Sequence, residues 1–311
     1  MNRIPVHLDF DTGIDDAIAL LCALLSQNKV DIRSISAVAG NVPLELTAKN
    51  TLDIVCAMGQ DIPVIKGADK PLRRPLHCAI SHGKSGLGDV VIPPADREFD
   101  KRTIEDAIYE TACDAPGELV YLGVGPQTNL ALALKKYPDL KDKIKRVVIM
   151  GGCLIGGNMT QASEFNAYVD PDALRIVVNA GIPMTMVGLD VTLKTELPLW
   201  VIEELKKLSN PYAKLAVRIM DFSLRRNKEF GFDVANIHDA LAFCTIVYPD
   251  VIQTKAYYVD VETEGEITRG MTVADFRNVC PDKKPNVDCA VEVDVDGFWN
   301  WMINLFRSAE K

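Results

Sequence analysis

Four carboxylates fall within eight residues in the stretch Leu8-Asp9-Phe10-Asp11-Thr12-Gly13-Ile14-Asp15-Asp16. Side chains alternate along a strand, so this spacing predicts Asp9 and Asp11 on one face, with Gly13 permitting the turn that returns Asp15 and Asp16 toward them. Asp15 and Asp16 at a helix N-terminus each gain about 0.3–1 kcal/mol from the macrodipole. That accounts for two of the carboxylates and leaves Asp9 and Asp11 unexplained. Their mutual repulsion opposes folding unless a cation sits among them. Carboxylates clustered without a nearby Cys or His favour a hard ion such as Ca²⁺ or Mg²⁺. An EF-hand loop is excluded, because Gly13 and Ile14 stand where its fifth ligand and its glycine belong.

Further polar residues follow apolar, β-rich runs. Asn41 follows ISAVAG, Gly125-Pro126-Gln127-Thr128-Asn129 follows LVYLGV, Met150-Gly151-Gly152 follows RVVI, and Asp190 follows MTMVGL. The carboxyl ends of strands are where open α/β sheets place ligands. The glycine-led loop from Gly156 to Asn166 adds Asn158, Glu164 and Asn166, whose amides and carboxylate suit sugar hydroxyls. Of four histidines, His7 and His77 lack evident partners. His82 lies in the glycine loop His82-Gly83-Lys84-Ser85-Gly86-Leu87-Gly88, and His238 directly precedes Asp239 at a helix start. A His-Asp pair can orient an acid or supply a metal ligand. Cys153, beside a glycine pair, has no near-sequence partner to activate it as a nucleophile.

The elements that must position these groups alternate. Strand-like PVHLDF, IRSISAVAG, IPVIKG, ELVYLGV, KRVVIMGG and IPMTMVGLD are interleaved with amphipathic segments near 15–27, 44–58, 104–113 and 127–136, and a Gly/Pro-rich loop spans 71–94. Strand–helix alternation argues for an α/β fold with a mostly parallel central sheet flanked by helices. After Asp190 the chain reads as more helical, with segments near 198–208, 211–226 and 238–247. A last pair of strands, KAYYVDVE and DCAVEVDV, precedes a helix near 298–307, where Phe298, Trp301, Met302 and Leu305 are expected in the core. No repeat or linker divides the chain, so residues 1–311 read as one domain.

Length and composition set the class. The chain has 311 residues, 48% of them hydrophobic, and a formal net charge of −9. That balance disfavours a nucleic-acid surface, and the basic run Lys141, Lys143, Lys145, Arg146 reads as solvated surface. No apolar run approaches the roughly 18 residues of a membrane span, and the N-terminus turns acidic before a signal-peptide core forms. The expectation is a cytoplasmic protein. The eight cysteines contain no C-x-x-C pair and read mostly as buried thiols.

Taken in order, these motifs resemble the nucleoside hydrolases of the inosine-uridine preferring type over essentially the whole chain. The resemblance rests on DFDTGIDDA at 9–17 beside the family's DxDPGxDDA, VAGN at 38–41, HGKSGLG at 82–88 and GPQTN at 125–129. MGG, GGN and EFN between 150 and 166, DP at 170–171 and HD at 238–239 complete it. It implies the Rossmann-like nucleoside hydrolase fold, a ribonucleoside substrate and a homo-oligomer, dimer or tetramer. Asp11, Asp16, Asp239 and the main-chain carbonyl of Val124 would bind Ca²⁺, and Asp11 would be the general base for water held by that ion. Asp15, Asn41, Asn158, Glu164 and Asn166 would grip the ribose hydroxyls with Met150 packed nearby. His82 and His238 would face the base, His238 as the acid and His82 as its assistant.

This sequence departs from the family pattern at three places. Thr12 replaces a proline, which loosens the turn but removes no ligand. Val124 replaces a more polar residue, harmless where only its carbonyl binds. Where relatives often carry a tyrosine near the base, only Phe230 and Phe232 stand here, so Phe230 is assigned to substrate binding and base preference stays open. Two other readings compete. Asp9-Phe10-Asp11-Thr12 also fits the D-x-D-x-T of haloacid-dehalogenase-type phosphatases, with Asp9 as nucleophile. The other is a non-catalytic Ca²⁺-dependent nucleoside or ribose binding protein.

Overall fold

A computed structural model describes residues 3–310. The first half alternates as its pattern demands: β1 (Ile4–Phe10), α1 (Ile14–Leu25), β2 (Val30–Ala37), α2 (Leu44–Ala57), β3 (Val64–Lys66), α3 (Ile104–Asp114), β4 (Leu119–Gly123), α4 (Thr128–Lys136) and β5 (Ile144–Met150). Short helices α5 (Phe165–Val169) and α6 (Pro171–Val178) lead to β6 (Met184–Val187). The helical stretch then comprises α7 (Leu189–Thr192), α8 (Leu199–Lys206), α9 (Pro211–Glu229) and α10 (His238–Val247). The chain closes with β7 (Ile252–Tyr257), β8 (Val259–Val261), β9 (Thr272–Ala274), β10 (Val287–Val293) and α11 (Val295–Arg307).

Eight strands form one sheet in the order β3-β2-β1-β4-β5-β6-β10-β7. All neighbours are parallel except β10 and β7. Strand order reverses direction at β1, flanked by β2 and β4, which creates a crevice at their carboxyl ends. Period-two alternation sorts the faces of β1. Val6, Leu8 and Phe10 enter a core shared with α1, α8, α9, α10 and α11. His7 and Asp9 point to the opposite face, where α3, α4 and α6 build a second core.

Two expectations change. KAYYVDVE is not one strand, because Asn286 draws the chain out of the ladder: its amide donates to the Val259 carbonyl at 2.9 Å and accepts from the Val259 N–H at 2.8 Å. The tail of the segment becomes β8, which pairs with β9 in a separate two-stranded sheet. The stripe on α11 is also rotated. Phe298, Trp299, Met302, Ile303 and Phe306 are buried, whereas Trp301 and Leu305 only pack partly against the core. α11 packs against both α1 and α8, so a broader face is covered than one four-residue spacing marks. Truncating Trp299 to Ala should cost about 3–5 kcal/mol and Trp301 to Ala less than half of that. Denaturant midpoints of the two variants test the assignment.

Candidate active site

A cavity of about 410 Å³ opens over the carboxyl ends of β1, β2, β4 and β5, within the roughly 300–1,000 Å³ of small-molecule sites. Asp11, Asp15, Asn41, His82, Val124, Met150, Asn158, Glu164, Asn166, His238 and Asp239 all line it. Asp16 lies just behind the wall, fully buried. Strand β1 ends at Phe10, so the backbone has left the sheet by Asp11 and alternation no longer applies. Asp11 therefore faces the cavity while Asp9 stays beneath the sheet.

Main-chain amides hold the carboxylates. Asp16 accepts from the Asp11 N–H at 3.1 Å, from the Gly13 N–H at 3.0 Å and from the Asn41 side chain at 2.9 Å. Asp11 accepts from the Asn41 N–H at 2.7 Å. Gly13 is required by proximity: a Cβ there would lie 2.3 Å from His82 Nδ1. Glu164 caps α5, accepting from Asn166 N at 2.9 Å and Ala167 N at 3.1 Å, and also takes the Gly152 N–H at 2.9 Å. Asn166 donates to the Val124 carbonyl at 2.7 Å and to that of Met150 at 3.2 Å. A carbonyl oxygen has two lone pairs, so the Val124 carbonyl can accept from Asn166 and still offer oxygen to the cavity.

These bonds do not cancel the charge. Burial, then the Asp16 charge, drives Asp11 well above the usual carboxylate range. Burial, then Asp15, pushes Asp16 up to about 7, and Asp239 rises well above its ordinary value for the same two reasons. Burial takes Glu164 to about 7 despite its three N–H donors. Carboxylate oxygens of Asp15, Asp16 and Asp239 lie within 4.8 Å of one another. An all-oxygen donor set with this unrelieved repulsion fits a hard divalent cation.

Two imidazoles line the same cavity beside the carboxylates. His82 Nδ1 accepts from the Ile14 N–H at 3.0 Å. A main-chain N–H can only donate, so neutral His82 carries its proton on Nε2. His238 Nδ1 lies 2.9 Å from the Thr192 hydroxyl. Burial lowers both imidazoles below their ordinary value, so both are uncharged at neutral pH.

A sequence model of the inosine-uridine preferring nucleoside hydrolases matches residues 6–300. The chain belongs to that family. It is 40% identical over 299 residues to the pyrimidine-specific ribonucleoside hydrolase RihA of Escherichia coli (strain SMS-3-5 / SECEC), covering 95% of this chain and 96% of that one. Among solved structures, the purine-preferring ribonucleoside hydrolase from Gardnerella vaginalis superposes with a TM-score of 0.92 at 33% identity, covering 99% of both chains. A plant nucleoside hydrolase also reaches 0.92, at 27% identity, over 98% of this chain and 99% of its own. The protein is an enzyme that hydrolyses nucleosides, and its sheet and flanking helices have the nucleoside hydrolase arrangement.

In this hydrolase several residues do other work than sequence suggested. Asp9 is buried, with its oxygens taken by Ser36, Tyr121 and Asn129, which removes it as a phosphatase nucleophile. Burial raises it to about 6. His7 does have partners, Ser34 at 2.7 Å and Ser36 at 2.8 Å, and burial lowers it to about 3. Asn41 spends its amide hydrogens on Asp11 and Asp16. Asp190 holds the Leu154 and Ile155 amides. The Thr12 hydroxyl meets Thr51 at 2.6 Å, which restrains the turn that lacks the family's proline. Phe230 lies outside the cavity lining at the end of α9, beneath Arg226 at 4.5 Å.

Other groups were missed. His77 lines the cavity, as do Ser223 and Asn227 of α9 and Asn236. Ser223 and Asn227 stand one turn apart, a spacing that could have flagged them. Asn50 of α2 donates to the Thr12 and Ser85 carbonyls at 3.1 and 2.8 Å, tying the aspartate turn to the His82 loop.

The raised carboxylates carry a pH signature. Without a cation the folded state holds more protons than the unfolded one, so their stabilising contribution is full below the unfolded value of 3.8 and is lost as pH rises through about 7. A cation competes with those protons, so the rise in melting temperature on adding Ca²⁺ to chelator-treated enzyme should grow from about pH 5 to about pH 8. A Ca²⁺ effect that stays flat or shrinks over that range would contradict a carboxylate cation site.

Proposed function

We propose that this enzyme hydrolyses the N-ribosidic bond of ribonucleosides to free base and ribose, with Ca²⁺ held by Asp11, Asp16, Asp239 and the Val124 carbonyl. The observation that carries the reading is one cavity lined both by a carboxylate group able to hold a metal ion and by two neutral imidazoles. Asp15 belongs with Asp16 and Asp239 to the carboxylate group that could hold a metal ion, so it would serve both the ion and the ribose. When bound, the ion draws ribose hydroxyls and water together and acidifies the water.

The chain's residues supply the remaining steps. Asp11 takes a proton from water as the oxygen bonds to C1′. The C1′–N bond breaks and its electron pair goes to the base. Glu164, Asn158 and Asn166 present acceptors to the ribose, whose ring gathers positive charge as the bond breaks. Being uncharged, His82 and His238 give the departing base hydrogen bonds from their ring N–H groups, and the base leaves with the electron pair of the broken bond and takes its proton from solvent. Asp15 holds ribose hydroxyls beside the ion, and Met150 packs against the sugar. Eight cysteines without a disulfide fit a reducing, cytoplasmic setting, and two cores sharing one sheet fit a single catalytic unit.

Identity to the pyrimidine-specific relative exceeds that to the purine-preferring one, and on that ground we rank uridine and cytidine ahead of inosine and adenosine. Ribose release from this panel, with and without chelator, tests the class. Asp11→Ala should lower kcat by about 10²–10⁴-fold while nucleoside still binds. Near-normal turnover in that variant would remove Asp11 as the base. His238→Ala should slow natural nucleosides far more than a riboside whose leaving group needs no protonation, such as p-nitrophenyl riboside. Tight nucleoside binding with no ribose released over hours would favour the binding-protein alternative.

A further inference from the structure

Asp9 is the one carboxylate of the aspartate motif for which the reaction has no use. It is 1% exposed and lies outside the cavity lining. No cation offsets its charge: its side-chain partners are Ser36 at 2.6 Å, Tyr121 at 2.7 Å and Asn129 at 2.8 Å. A buried carboxylate without a cationic partner is costly to keep, so its retention needs a reason.

The three donors come from three elements, β2, β4 and α4. The main-chain carbonyl of Asp9 accepts from the Val124 N–H at 3.0 Å, so Asp9 touches the residue whose own carbonyl enters the cavity. Asn129 extends the brace, donating to the Ala37 carbonyl at 3.2 Å and accepting from the Ala68 N–H at 2.8 Å. Gly67 has to be glycine there, since a Cβ would lie 2.3 Å from the Asn129 amide. One carboxylate thus joins the carboxyl ends of β1, β2 and β4 and the loop after β3.

The charge also orders a longer chain of bonds. Asp9 Oδ1 can only accept from Ser36, so the Ser36 oxygen is left to accept from His7 Nε2 at 2.8 Å. The single proton of the neutral imidazole then sits on Nε2, and Nδ1 accepts from the Ser34 hydroxyl at 2.7 Å. Ser34 in turn accepts from Thr111 at 2.9 Å. The direction of every link from α3 to β1 follows from the acceptor at one end.

We infer that Asp9 is a positioning residue: its carboxylate clamps the junction of β1 and β4 and orders the buried Thr111–Ser34–His7–Ser36 chain, which holds the Asp11 carboxylate and the Val124 carbonyl at a fixed separation. The inference rests on the reading of Asp11 as the base. Asp9→Asn is nearly isosteric but turns an NH₂ toward one of the donors. Misplacing a reacting group by about 1 Å costs on the order of 10²-fold, so D9N should lose roughly 10–100-fold in kcat. KM for uridine should change less than about threefold, because Glu164, Asn158 and Asn166 stand on another loop. Tyr121→Phe, which removes one donor and keeps the charge, should lose less. Nitrogen-15 spectra should show His7 protonated on Nε2 in the wild type and in Y121F, and a mixture of tautomers in D9N.

A folded D9N with wild-type kcat at saturating Ca²⁺ overturns the inference, and so does a wild-type His7 protonated on Nδ1. Should D9N fail to fold, Y121F and Ser36→Ala decide: wild-type kcat in both overturns it, and a loss of kcat at near-constant KM supports it. Asp11→Ala assayed alongside separates the two readings. If D11A is inactive and D9N is normal, only the positioning role falls; if D11A turns over normally, the assignment of the base falls.

Discussion

Asp11, Asp16, Glu164 and Asp239 are taken out of water at one edge of a parallel sheet, and no Lys or Arg among the described residues stands beside them. Most of the local architecture answers that repulsion. The amides of Asp11, Gly13 and Asn41 converge on two of the carboxylates, and those of Gly152, Asn166 and Ala167 converge on a third. Each such amide is an orphan donor at a helix start or strand end, so the fold meets its own unsatisfied groups and the buried charges together. Glycines at 13 and 40 let the loops close to this distance, since a Cβ on Gly40 would lie 2.1 Å from Asp11 Oδ2. What the amides leave unbalanced is a demand that a divalent cation would meet.

The imidazoles lining the same cavity follow a different electrostatic rule. Burial keeps His82 and His238 neutral, and a main-chain donor fixes the tautomer of His82. On the proposed reading, an uncharged imidazole gives a hydrogen bond to the departing base without adding positive charge near C1′. Buried carboxylates and uncharged imidazoles thus line one cavity together. Asn50 and Arg226 tie the loop carrying His82 to the aspartate turn and to α9, the latter by a 3.0 Å bond to the Ile80 carbonyl. The His82 loop is thereby referred to the same frame as the carboxylates.

Departures from the family's motif are absorbed locally. A hydroxyl pair between Thr12 and Thr51 stands where a proline ring would stiffen the turn. Phe230 remains 40% exposed, while Ser223 and Asn227 face the cavity from the same helix. The wall nearest α9 is polar, a property that neither aromatic residue would have foretold.

Much of this was legible in the sequence because it depends on local order. Alternating strands and amphipathic helices specify a parallel sheet, motifs at strand ends specify its active edge, and the recurring residue types specify oxygen-rich chemistry. Nearly every residue assigned from motifs reaches the cavity for that reason. The roles of Asp9, His7, Asn41 and Asn50, the split between β7 and β8, and the burial of Trp299 over Trp301 lay beyond it. Those depend on where β1 leaves the sheet and on which neighbour occupies each side chain's hydrogen bonds. Such partners stand tens of residues away along the chain, 27 between Asp9 and Ser36 and 120 between Asp9 and Asn129. Residue type tells what a group can bond to; only the packed strands decide which partner comes within 3 Å.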